Sequence, residues 1–154
     1  MSVGCLHIKR VATERRQMIN VTTRLNTILE TAIAKPPTRN RWSRRAIARY
    51  LGSQGLLGSD KNTIAKWEVL LRVIKPYRER IPKDARGNFL PGYSLDQYQF
   101  YCIVKLSYLM TQIRSDLNGC SYLPIIAQTL ATPEIQNKYF SFESWQNEIE
   151  NIAA

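Results

Sequence analysis

Histidine occurs once and cysteine three times in 154 residues, and that scarcity excludes several chemistries at the outset. Cys5, Cys102 and Cys120 are odd in number, far apart and without a CxxC pair, which argues against a disulfide framework and a zinc knuckle. Cys102 is most simply read as a small buried hydrophobe. His7, near the N-terminus, has no neighbouring constellation that would make it a ligand or a base. No glycine-rich phosphate loop of Walker or dinucleotide form is present, and the C-terminal carboxylates lack metal-ligand spacing. The expectation is therefore no enzyme, no cofactor and no metal. No apolar run approaches the ~18 residues of a membrane span, and the opening residues lack the pattern of a signal peptide. A cytoplasmic location without membrane contact is expected. No repeat of 20 to 50 residues and no low-complexity tract appears.

What the chain does have is positive charge in one place. Residues 35 to 86 hold fourteen Lys or Arg against four acids, a balance of +10 that equals the net charge of the whole chain. The stretches on either side carry about +3 and −3 and cancel. An asymmetric field of this kind points one face at a polyanion, and double-stranded DNA is the first partner to consider. The apolar fraction of 44% is too high for disorder, so the basic stretch belongs to a folded unit.

Three regions follow from the pattern. Residues 1–38 read as an amphipathic helix and linker: Met18, Val21, Leu25, Ile28 and Leu29 fall on one helical stripe that Pro36-Pro37 must end. That stripe is the favoured dimerisation surface, with the surplus apolar surface of the helix over 95–117 and the C-terminal helices as the alternative. Residues 39–118 read as a winged helix-turn-helix. Ser43 caps a helix to Leu51 with Gly52 as its stop, and Gly52 to Ser59 is a glycine-rich turn from which Leu56 and Leu57 tuck onto the core. Ser59 or Asp60 caps a second helix to about Val73, buried along Ile64, Trp67, Leu71 and Ile74. After Pro76, Tyr77 to Ile81 and Asn88 to Leu90 read as two short strands of a basic wing. Ser94 and Gln97 form a capping box that opens a long helix to about Leu117. That helix has more apolar surface than one face needs, so it should pack on the winged motif and on something else. Residues 119–154 read as a C-terminal helical segment without an effector domain: Pro124 begins one helix, and Ser141 caps another carrying Phe142, Trp145 and Ile149. The fold class expected is mainly α, a winged helix-turn-helix with a β-hairpin wing and flanking helices.

The second helix presents Lys61, Asn62, Thr63, Ala65 and Lys66, small and polar side chains of the kind a major groove accepts. Asn62 is the best base reader, because a carboxamide bonds an adenine edge bidentately. Lys61 and Lys66 suit phosphates. Arg41, Arg44, Arg45 and Arg49 are four cations in nine residues with no acid among them, and they too suit phosphates, as do Arg78, Arg80, Lys83 and Arg86 on the wing. Trp42 and Tyr77 are read as packing rather than as stacking platforms, and Trp67 as core.

The order of these parts resembles the DNA-binding unit of the MerR family. Ala48-Arg49-Tyr50-Leu51-Gly52 looks like that family's first helix, and Thr63-Ile64-Ala65-Lys66-Trp67-Glu68 like its second. Ile74-Lys75-Pro76-Tyr77-Arg78 resembles the start of its wing, and Gly92-Tyr93-Ser94-Leu95-Asp96 the close. The chain departs from the pattern in lacking a glycine after the second helix, in an extended loop over 53–59, and in Ala65 where the family has arginine. Its brevity and basic N-terminal helix are similar to the MerR-type repressors of CRISPR-associated transposons. The resemblance implies a homodimeric, ligand-independent transcriptional repressor on an inverted-repeat operator. An excisionase-like accessory DNA-binding protein and an RNA-binding module stay open as alternatives.

Overall fold

A computed structural model describes residues 23–31, 39–116 and 123–153. The described chain is mainly helical. After a helical segment over residues 23–30 come α1 (Arg44–Ser53), α2 (Lys61–Leu71), α3 (Lys75–Glu79), α4 (Gln97–Asp116), α5 (Leu123–Leu130), α6 (Pro133–Tyr139) and α7 (Phe142–Ala153). No helix among the described residues is long and apolar enough to cross a membrane.

The long helix α4 is the axis of the molecule. Leu106, Leu109, Phe100, Ile103, Cys102 and Ile113 are all buried on it, covering its whole circumference. A helix apolar all round must be enclosed, and α1, α2 and α3 pack on it from one direction while α7 packs on it as well. The expectation that it contacts both the basic motif and a further element is met, and the further element is α7, through Phe142 and Trp145 beside Tyr98. Its start differs from the expected Ser94–Gln97 box. Trp42 and Leu95 exchange two backbone hydrogen bonds of 2.8 Å, which keep residue 95 extended, so the box forms two residues later. Asp96 Oδ1 accepts from the Gln99 amide at 2.8 Å, and Gln99 Oε1 accepts from the Asp96 amide at 3.0 Å.

Ser43 caps α1 by accepting from the Ala46 amide, and Asp60 caps α2 by accepting from the Asn62 amide. Helix α1 runs past Gly52 to Ser53 with Gln54 as its C-cap, and α2 ends at Leu71. The turn between them is pinned from α4: the Leu57 amide donates to Thr111 Oγ1 at 3.0 Å, and Ser107 donates to the Leu57 carbonyl at 2.5 Å. Leu56 and Leu57 pack on the core as expected. Gly58 is the one position in this turn that admits no side chain. Its φ is +98°, and a Cβ there would stand 2.7 Å from Trp67 Cζ3 and 2.8 Å from Leu51 Cδ1. Gly58→Ala is therefore expected to destabilise the fold by about 2–4 kcal/mol, from left-handed backbone plus overpacking. Gly87→Ala, with φ +84° and open space around it, should lose only about 1 kcal/mol. Urea midpoints of the two variants compare them directly.

The β-hairpin wing is not found. Tyr77 to Glu79 lies in α3, because Pro76 starts a helix well and the Arg78 amide closes it on the Ile74 carbonyl at 2.9 Å. Ile74, Tyr77 and Ile81 then point together into the core at helical spacing. Residues 82–90 form a loop closed by one isolated bridge between Lys83 and Phe89, and no strand occurs among the described residues. Asp84 organises its tip, its Oδ1 accepting from the Arg86 and Asn88 amides at 2.8 and 3.0 Å.

The described part of the stripe proposed for dimerisation is covered within the chain. Leu25, Ile28 and Leu29 are only 1–2% exposed and belong to the same continuous core as α1 to α6. The segment is fastened from α6, where the Tyr139 hydroxyl lies 3.1 Å from Asn26 Oδ1 and 3.3 Å from Glu30 Oε1. The alternative surface on α4 is likewise covered, by α7. Met18, Val21, His7, Cys5 and Cys120 lie outside the described residues. Helix α6, begun by Pro133 after Thr132, has no counterpart in the sequence-based reading.

Candidate nucleic-acid interface

A single buried carboxylate holds the basic helices together. Glu68 on α2 is 2% exposed and meets Arg44 of α1 and Tyr77 of α3. Arg44 on α1 clasps it in bidentate fashion, Nε to Oε2 at 2.5 Å and Nη2 to Oε1 at 3.2 Å. The Tyr77 hydroxyl of α3 donates to Oε1 at 3.0 Å, and the Tyr93 hydroxyl donates to the same oxygen. Arg44 also donates to the Tyr93 carbonyl at 2.9 Å and lies 4.6 Å from that ring centroid. One charge is thereby satisfied from three elements, which fixes α1, α2, α3 and residue 93 relative to one another. In the sequence Glu68 is only one of the four acids of the basic stretch, and this role is not visible there.

The same geometry divides the expected cations into two sets. Arg44 is occupied by Glu68, and burial, which pulls its guanidinium down, is outweighed by the Glu68 hydrogen bond and charge, leaving its pKa raised. Arg78 is half-buried and donates to the Arg72 carbonyl at 3.0 Å. Arg80 pairs with Asp96 at 2.6 Å and lies over the rings of Phe142 and Tyr98 at 4.9 and 5.3 Å. These three arginines have partners within the fold, Arg80 from an exposed position. Thr63 is half-buried rather than fully presented.

Arg41, Arg45, Arg49, Lys61, Asn62, Lys66, Lys83 and Arg86 are exposed. Arg45 and Arg49 are one turn apart on α1, and Lys61, Asn62, Ala65 and Lys66 share the solvent face of α2 opposite Ile64, Trp67 and Leu71. The only acid on either helix is Glu68, which is buried and paired. The outer faces of α1 and α2 therefore carry positive charge with no acidic residue within either helix, the nearest carboxylate being the exposed cap Asp60 at the start of α2. Lys83 and Arg86 stand on the loop 82–90, which Phe89 anchors beneath the Arg72 guanidinium at 4.8 Å. No family model, no curated protein and no solved structure matches the chain. The site thus rests on its own chemistry.

The aromatic residues are structural, as expected. Trp42 stacks on Phe100 at 3.9 Å and 8° between planes, while its Nε1 donates to Gln97 at 2.9 Å. Tyr77 and Trp67 are core. Cys102 is fully buried, and burial pushes its thiol well up, so it stays a protonated apolar filler. Among the described residues no three His, Cys, Asp or Glu gather where they could hold a metal ion.

Buried tyrosines around this framework make stability depend on alkaline pH. Burial first, and then Glu68, hold Tyr77 and Tyr93 well above the ordinary tyrosine value, and burial does the same for Tyr98 and Tyr101. Unfolded, each releases its proton near pH ~10. The unfolded chain then holds fewer protons than the folded one, so this stability is complete below pH ~10 and is lost as pH rises beyond it. Lys105, lowered by burial despite its pair with Glu148 at 3.2 Å, acts in the opposite sense. Four tyrosines outweigh one lysine. The buried Cys102 thiol is raised in the same sense and starts the loss earlier, because an unfolded thiol releases its proton at pH ~8.5. Urea midpoints should therefore hold steady up to about pH 8 and fall beyond it, most steeply above about pH 10.

Proposed function

We propose that this protein is a sequence-specific double-stranded DNA-binding transcriptional regulator, working as a ligand-independent homodimeric repressor of MerR type. In this reading α1 and α2 form a helix-turn-helix, and α2 lies in the major groove. Asn62 reads a base edge, with Lys61, Lys66, Arg45, Arg49 and Arg41 on the flanking phosphates. The loop 82–90 takes the place of a wing and offers Lys83 and Arg86 to the backbone. The observation that supports the reading is the cationic face shared by α1 and α2, on which neither helix has an outward acid because Glu68 is turned inward and Asp60 stands only at the cap. Two copies related by a two-fold axis would meet an inverted repeat with half-sites one or two turns apart.

The test is a gel-shift series on the duplexes upstream of the chain's own and neighbouring genes, at two salt concentrations, against random duplex of equal length. Selective retention of one promoter is expected, and Asn62→Ala with Lys66→Ala should bring that duplex down to the random level. Light scattering of the free chain should return twice the 17.8 kDa of one copy. Equal affinity for every duplex would turn the reading toward an accessory DNA-binding or RNA-binding protein.

A further inference from the structure

The exposed face of α2 does not end with its polar residues. Val69 is 60% exposed, more than any other large hydrophobic among the described residues, and it is absent from the core. A β-branched side chain on a solvated helix face gains nothing locally, since alanine, leucine or lysine would favour the helix more. Its register is informative. Asn62, Ala65, Lys66 and Val69 follow one another at spacings that place them on a single face, and all four are exposed. Val73 stands apart from them, past the end of α2, with its carbonyl accepting from Gln136 of α6 at 3.4 Å.

We propose that Val69, with the Ala65 methyl beside it, is a specificity-determining residue that reads thymine through its C5 methyl group. The inference rests on the DNA-binding reading above and extends it. The occupant of this face is argued from charge. Lys66 stands one turn from Val69 on the same face, and the one acid within the helix, Glu68, is buried, so a second copy of this chain packed there would set lysine against lysine, whereas a polyanion is attracted. In a major groove the apolar feature at base edges is the thymine methyl, the group that alanine and other apolar side chains contact. Seven residues separate Asn62 from Val69, about 10.5 Å along the axis, which corresponds to roughly three base pairs. The half-site therefore carries an adenine and, about three base pairs from it, a thymine.

The experiment starts from duplexes enriched by the full chain from a random library. Each thymine of the enriched site is replaced singly by deoxyuridine, which removes the methyl group and leaves pairing intact. One thymine per half-site should lose about fourfold in affinity, at the stated distance from the base at which Asn62→Ala relaxes preference. In Val69→Ala, which alters only a solvated position and leaves the Ala65 methyl in place, that dT-to-dU difference should fall to about twofold or less while the preference governed by Asn62 persists. Binding that ignores every deoxyuridine, or a deoxyuridine penalty that survives undiminished in Val69→Ala, overturns this inference and leaves the DNA reading intact. A library from which nothing is enriched overturns both.

Discussion

Glu68→Ala is expected to lower folding stability by about 3–5 kcal/mol, the largest loss foreseen for any single substitution in this chain. The removed carboxylate leaves two kinds of orphan. Arg44, with its side chain 21% exposed, keeps a guanidinium aimed into protein and can recover only part of its hydration. Tyr77 is fully buried, and its hydroxyl would be left without an acceptor, a penalty of about 1–3 kcal/mol by itself. Glu68→Gln retains an oxygen for one tyrosine but not the charge, so its loss should be intermediate. Replacing Arg44 and Glu68 together by methionine and leucine removes the orphaned charge and should recover much of the difference, as apolar replacements of buried pairs do. Urea denaturation of the four proteins provides the comparison. A Glu68→Ala midpoint within 1 kcal/mol of the parent would show that helix packing alone orders α1, α2 and α3.

That residue also marks where local reading of the sequence stops. Helix starts were legible wherever the signal is local: Ser43, Asp60 and Ser141 cap as their side chains dictate, and the glycine-rich turn folds Leu56 and Leu57 inward. Glu68 was not legible because its partners, Arg44, Tyr77 and Tyr93, lie 24, 9 and 25 residues away. An acid flanked by Trp67 and Val69 says nothing of them. The same limit explains the capping box. Ser94 and Gln97 have the right spacing, but the distant backbone of Trp42 holds Leu95 extended and hands the role to Asp96 and Gln99. The misread wing is of a different kind, for the 3-4 spacing of Ile74, Tyr77 and Ile81 was visible and outweighs the strand propensity of Tyr77 and Ile81. The stripe of Leu25, Ile28 and Leu29 was correctly read as apolar. A stripe declares that it will be covered and does not declare by what, and here α5 and α6 lie beside it.

The division of the cations makes the sharpest claim about function, because net charge alone treats all fourteen basic residues as equivalent. Arg41, Arg45, Arg49, Lys61, Lys66, Lys83 and Arg86 are exposed, whereas Arg44 and Arg78 are held by Glu68 and the Arg72 carbonyl, and Arg80, though exposed, is paired with Asp96. If most of the exposed set contacts phosphate, affinity for duplex DNA should fall by about 10³–10⁵-fold between 50 and 200 mM salt. Arg45→Ala and Arg49→Ala should each weaken binding to specific and random duplex alike and reduce the salt slope by about one, with an unchanged urea midpoint. Arg80→Ala should do the reverse: it loses its pair with Asp96 and its place over Phe142, so the midpoint drops while the salt slope of the folded fraction is kept. The contrast is internal to one protein and does not require the operator to be known. A salt slope that responds to Arg80 as strongly as to Arg45 would mean that the braced arginines leave their partners to grip DNA, and the separation of scaffold from surface argued from Glu68 outward would fail.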